Sequence, residues 1–151
     1  MKIFRPILSL ILVFATTVLV SCSGPSASAP PSYDAARVQK ISVYRIPVDA
    51  AQKRLSELGK FVSEEDWTNT KTFTHGPLGL IRRDMTYLSK ALVPDDQEEA
   101  LEIAKDIFDH LGDLDSATQE KDYPTAISEY KELVSDFDIY LNYISDKAGN
   151  S

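Results

Sequence analysis

The sequence predicts an all-α domain: an up-down-up-down four-helix bundle with an extended or partly helical N-terminal strap. Three observations carry this. From Pro47 onward, four successive segments repeat their apolar residues every three and four positions, the period of a buried helix face. Proline, glycine and acidic residues punctuate the joins, and the joins are short, which makes successive helices antiparallel neighbours. No segment sustains a period-two alternation, so no sheet is expected.

Ahead of the domain, Lys2 and Arg5 precede an apolar stretch from Ile7 to Val20, 14 residues interrupted only by Ser9, Thr16 and Thr17. A spanning helix needs about 20 apolar residues, whereas a secretory apolar region needs roughly 7 to 15 followed by small residues. Residues 1–21 therefore read as a signal peptide. Cys22 is the only cysteine, so it cannot form a disulfide within its own chain. Leu19-Val20-Ser21-Cys22 resembles the bacterial lipobox, in which the thiol carries diacylglycerol through a thioether. One acyl chain holds a protein only marginally, at roughly 0.8 kcal/mol per buried methylene, and two or more make the attachment stable. The alternative is an ordinary signal peptide with a stray cysteine after the cut. Ser23 to Ser32 reads SGPSASAPPS, with no charge and no large apolar residue. Residues 22–33 are thus a lipidated flexible tether, of roughly 15–20 Å root-mean-square reach. The folded domain is expected over 34–151.

Residues 35–46, AARVQKISVYRI, are ambiguous between a helical turn and an extended strap across the bundle. Val48, Ala51, Leu55, Leu58 and Phe61 or Val62 form the first stripe. Ser63-Glu64-Glu65-Asp66 is close to a capping box and is expected to start the second helix. Its stripe runs Trp67, Thr70, Phe73 or Thr74, Leu78, Ile81, Met85, Leu88, Leu92. His75-Gly76-Pro77-Leu78-Gly79 lies inside it. The apolar period keeps its phase through this run, so a kink is expected rather than a break, with Gly76 and Gly79 permitting close approach by another backbone or a partner. Val93-Pro94 stops the helix. Asp95 or Asp96 starts the third, with the stripe Ala100, Ala104, Ile107 or Phe108, Leu111, Leu114, Ala117. Pro124 suits the first position of the fourth, with the stripe Ala126 or Ile127, Tyr130, Leu133 or Val134, Phe137, Leu141, Ile144. These last two helices should be about 22–26 residues, roughly 33–39 Å. The polar tail 146–151 should fray.

Removing residues 1–21 leaves 130 residues with all 23 acids and 14 of the 16 bases, so the net charge moves from −7 to about −9. That is one domain, large enough to bury a core without disulfides or metal. The acidic balance argues against nucleic acid, which wants a basic stripe. It also argues against adsorption to an anionic membrane surface, and it suits a basic partner patch.

No enzyme motif is present: no phosphate loop, no GxSxG, no HExxH. The chain reads as no enzyme, with no cofactor. His110 with Asp106 and Asp113 forms an i−4, i, i+3 set able in principle to hold a borderline metal, although His–Asp clusters are common on acidic helices. Haem would need facing ligands such as Met85 and a histidine, and His110 falls near the edge of the core stripe. Arg82-Arg83 is conspicuous in an acidic chain. It is either a pair of solvated residues bridging to nearby acids or a basic spot that docks an acidic partner. Tyr87, Tyr140 and Tyr143 fall partly outside the core stripes and are candidate interface residues.

Several runs together point further. Asp66-Trp67-Thr68-Asn69, Phe73-Thr74-His75-Gly76-Pro77-Leu78-Gly79, Arg82 through Leu88 and Leu92 through Gln97 resemble the cyanobacterial PsbQ-like family (CyanoQ). Ala104 through Leu111 and Asp136-Phe137-Asp138 continue the likeness, in register from about Val48 to Ile144, and the lipobox belongs to the pattern. Leu80-Ile81 and Thr70-Lys71-Thr72 depart modestly from it. The resemblance implies a four-helix extrinsic lipoprotein of photosystem II. Such a protein sits on the lumenal side of the thylakoid membrane, lipid-anchored, where it stabilises the complex and supports oxygen evolution without catalysing it. Implied partners are the core antenna subunit CP47 and the manganese-stabilising extrinsic protein. Candidate partner-binding residues are Arg82, Arg83, His75, Gly76 and Pro77. The rival reading is a generic periplasmic helical lipoprotein that binds a metal through His110.

Overall fold

The computed structural model describes residues 31–149, and the leader, Cys22 and most of the tether lie outside them. Among the described residues there are five helices and no strand: α1 (Ala35–Ser63), α2 (Trp67–His75), α3 (Ile81–Ser89), α4 (Pro94–Glu120) and α5 (Tyr123–Gly149). None of these helices is long and apolar enough to cross a membrane.

Residues 35–46 are helical, which removes the extended-strap alternative. Asp34 caps α1 by accepting the Arg37 N–H at 2.8 Å. The helix then runs 29 residues, straight through Pro47. Proline in a helix interior removes one hydrogen bond, here to the Val43 carbonyl. Pro47 and Val43 both lie on the exposed side, where water replaces the missing donor. The first half of α1 was hard to read because it is apolar on both sides: Ile41 is buried while Val43 and Ile46 are exposed.

Ser63 ends α1 rather than starting α2. Its hydroxyl donates back to the Lys60 carbonyl at 2.9 Å. Glu65 takes a left-handed conformation, φ 53°, and reverses the chain. Asp66 then caps α2, accepting the Asn69 N–H at 3.1 Å.

The expected kink near Pro77 is a break. Pro77 has no N–H for the Phe73 carbonyl, and the Leu78 N–H takes that carbonyl instead at 3.2 Å, one residue further on. Five residues of turn separate α2 from α3. The apolar phase survives because Phe73, Leu78, Ile81, Met85, Leu88 and Leu92 all reach the core. A continuous stripe therefore records which side is buried, not whether the backbone between is helical.

Val93 caps α4 and Pro94 occupies its first turn, with Asp95 and Asp96 following where negative charge is favoured. Lys121 (φ 59°) closes the helix, and Asp122 caps α5 by accepting from the Thr125 N–H and hydroxyl. Pro124 is thus the second residue of α5. Both α4 and α5 have 27 residues, and the tail expected to fray stays helical to Gly149.

The cross-helix contacts run antiparallel. Arg45 meets Ser145 and Gln52 meets Asp138 between α1 and α5. Tyr44 meets Tyr87 on α3, while Phe61 meets Phe73 on α2. His75 reaches Asp115 and Arg82 covers Phe108 on α4. His110 reaches Glu129 and Lys147 reaches Asp96 between α4 and α5. This arrangement is compatible with an up-down-up-down bundle. Tyr140, Phe137, Leu58, Met85, Leu88, Leu92, Ile107, Leu114, Leu133 and Ile144 are fully buried along its axis.

Candidate functional site

The α2–α3 turn and the middle of α4 enclose an open cleft of about 350 Å³. It opens beside the break between α2 and α3. His75, at the end of α2, lies on one wall and its Nε2 is 2.8 Å from Asp115 Oδ1. Arg82, on α3, lies on another, with its guanidinium carbon 4.4 Å from the centre of the Phe108 ring. Such a cation over an aromatic face is attractive and holds the guanidinium flat. The expected partner-binding residues His75 and Arg82 therefore share one cleft. Arg83 does not face the same way: it pairs with Asp84 at 2.8 Å on the exposed side of α3.

Gly76 and Gly79 serve the turn itself. A Cβ on Gly79 would stand 2.2 Å from the His75 carbonyl oxygen, and one on Gly76 would stand 2.7 Å from that of Thr72. The backbone that approaches these glycines closely is that of their own chain.

His110 is not grouped with Asp106 and Asp113. Its ring points across to α5, with Nδ1 2.7 Å from Glu129 and Nε2 3.4 Å from Asp136. The two carboxylates stand on opposite sides of the imidazole, so they do not converge on one ion. Among the described residues, no group of three histidine, cysteine or acidic side chains is placed to hold a metal. The Glu129 hydrogen bond raises the imidazole pKa, with burial opposing it. Asp136 is raised by burial, which outweighs the attraction of the ring. The result is a charge-assisted clamp between α4 and α5. Its partners are 19 and 26 positions away from His110, beyond any helix-face spacing.

Tyr140 was expected near an interface and is wholly buried. Its spacing with Phe137, Leu141 and Ile144 is i, i+3, i+4, i+7, the signal that could have placed it in the core. Tyr143 is partly buried and donates toward the Asp96 carbonyl at 3.2 Å and Glu99 at 3.1 Å. Tyr87 remains 52% exposed.

A second cluster had no sequence signal. Where α1 begins, α4 begins and α5 ends, the Tyr33 hydroxyl donates to Asp96 at 2.6 Å and Lys147 donates to the same carboxylate at 2.8 Å. Burial pushes Asp96 up, but these two donors prevail and hold it below the usual carboxylate range. Arg37 adds bonds to the Ala91 and Leu92 carbonyls at 3.0 and 2.8 Å. Together they fix the start of α1 against the α3–α4 join.

Comparison with known proteins gives the following. The family model described as PsbQ, oxygen evolving enhancer protein 3, matches residues 5–145. A relative named CyanoQ, from Synechocystis sp. (strain ATCC 27184 / PCC 6803 / Kazusa), is 41% identical over 148 residues, covering 95% of this chain and 97% of the relative.

Proposed function

The chain belongs to the PsbQ family, and from that premise we propose that it is an extrinsic, non-catalytic subunit of photosystem II. It stabilises the assembled complex and supports oxygen evolution from the lumenal side of the thylakoid membrane. The observation that carries this reading is the extent of the match: it runs from the apolar leader through α5, over 95% of the chain. A likeness of that length extends beyond the helices into the N-terminal residues read above as leader and tether.

The five helices form a four-limbed bundle in this reading, with α2 and α3 sharing one broken limb. Cys22 carries the lipid. Anchoring one end confines the domain to a thin layer beside the membrane, so a modest protein contact gives high occupancy. The partners are CP47 and the manganese-stabilising extrinsic protein. The cleft between His75 and Arg82 is one seat for such a contact, since it presents an imidazole and a guanidinium together; Pro77 lines a separate groove with Arg54, Phe61 and Phe73. Replacing Cys22 by Ser in cells tests the tether. The domain should move from the membrane fraction to the soluble lumen fraction and be depleted from isolated photosystem II. Unchanged fractionation with unchanged retention would remove the lipid from the account.

A further inference from the structure

Helix α1 has a second apolar stripe. Val43, Ile46, Pro47 and Ala50 recur at i, i+3, i+4 and i+7, on the side of the helix opposite Ile41, Val48 and Leu55. Val43 is 50% and Ile46 65% exposed. No described element covers them. At the edge of this stripe the Tyr44 and Tyr87 rings lie 6.0 Å apart, joining the outer surface of α1 to that of α3.

Charge is segregated in the same direction. Helix α1 carries six bases and two acids, whereas α4 carries one base and ten acids and α5 two and five. The strongly acidic total thus conceals a basic α1. Lys40 and Lys53 stand on either side of the stripe. Lys53 makes no ion pair among the described residues, and Lys40 lies 5.7 Å from the Tyr44 ring centre. The neighbouring Arg45 and Arg54 are paired within the helix to Asp49 and Glu57.

We propose that this outer face of α1 is a docking surface for an acidic protein surface with an apolar centre. The proposal rests on the photosystem II reading above and adds to it the face and the chemistry of the partner. An apolar centre ringed by cations, with tyrosines at its edge, has the composition of a protein–protein contact. A helix that adsorbs to lipid buries a broad face of Trp, Phe and Leu, whereas the outer side of α1 offers only Val43, Ile46, Pro47 and Ala50, and both its leucines face the core. A second copy of the chain would have to set α1 against the acidic α4. That contact uses two different patches and does not close into a dimer. The face also lies apart from the His75–Arg82 cleft, because α1 packs against α2, α3 and α5 while the cleft opens between the α2–α3 turn and α4. One domain can therefore touch two partners at once.

The test is retention of full-length chains on photosystem II isolated from cells that express them in place of the wild type. Ile46→Glu should lower occupancy at least about fivefold. Lys40→Glu with Lys53→Glu should lower it similarly and weaken the dependence of the wild-type contact on salt. Glu102→Lys, on exposed α4, should leave occupancy unchanged. All these positions are exposed, and an unchanged thermal midpoint shows that folding is intact. Full retention of the α1 variants alongside retained wild type overturns this proposal alone. Absence of wild-type chain from the complex overturns the functional reading and this proposal with it. Two parallel measurements on the lipid-free chain identify other occupants. Binding to phosphatidylglycerol vesicles that Ile46→Glu abolishes would assign the face to lipid. Self-association in sedimentation that Ile46→Glu abolishes would assign it to a second copy. Either result overturns the proposal.

Discussion

The Tyr140 hydroxyl donates to the Met85 backbone carbonyl at 2.9 Å, tying α5 to α3 through the buried core. Ser89 donates in turn to the Tyr140 oxygen at 2.9 Å. This is a fully satisfied polar network in an otherwise apolar core, and it fixes the height of α3 on α5. Burial holds the phenol well above its ordinary pKa, with the Ser89 bond opposing, so it stays neutral at any physiological pH.

Removing one member leaves the others without a partner in a dry place. Tyr140→Phe should cost about 1–2 kcal/mol. Ser89→Ala should cost less, and the double variant should cost less than the sum. Urea denaturation of the four proteins gives the coupling directly. Additive losses would mean that the hydroxyls do not act as one unit.

Two glycines make opposite predictions. A Cβ at Gly79 meets the His75 carbonyl at 2.2 Å, while one at Gly112 meets nothing within 4 Å. Gly79→Ala should therefore destabilise by about 1–3 kcal/mol, because backbone must move. Gly112→Ala, on an exposed turn of α4, should stabilise by up to about 1 kcal/mol through helix propensity. Thermal midpoints of the two variants check the signs, and equal signs would contradict the geometry of the turn.

The clamp at His110 sets a pH dependence. Glu129, Asp136 and Glu132 face the imidazole from α5 and raise its pKa in the folded state, the Glu129 hydrogen bond most of all. A raised folded pKa contributes stability that is complete below the unfolded value, about 6.5, and is lost as pH rises through the folded one. The thermal midpoint should accordingly fall as pH rises above about 6.5, and His110→Gln should flatten that part of the profile. Titration by nuclear magnetic resonance should place the His110 pKa above the ordinary histidine value of about 6.5. A lower value for His110 would reverse the sign.

Much of the core was legible in the sequence, because the four apolar stripes report burial directly and Leu58, Met85, Leu114 and Phe137 all lie where their spacing puts them. The break at Pro77 was not, because a turn of suitable length keeps the stripe in phase. Nor was the helical state of residues 35–46, where Val43 and Ile46 add an outer apolar face that blurs the inner one. The partners of His110 and Asp96 come from other helices, and the spacing of residues along one helix carries no trace of them. The cleft was half legible: the HGPLG run marked its place, yet its wall at Phe108 comes from α4.

Cross-linking mass spectrometry on isolated thylakoid membranes tests the central claim most directly. If the chain is an extrinsic photosystem II subunit docked through α1, then Lys40 and Lys53 should link to lumen-facing photosystem II proteins. Lys131, on the acidic α5, should link to them far less. Links from Lys40 and Lys53 solely to proteins outside photosystem II, with none to its subunits, would contradict it.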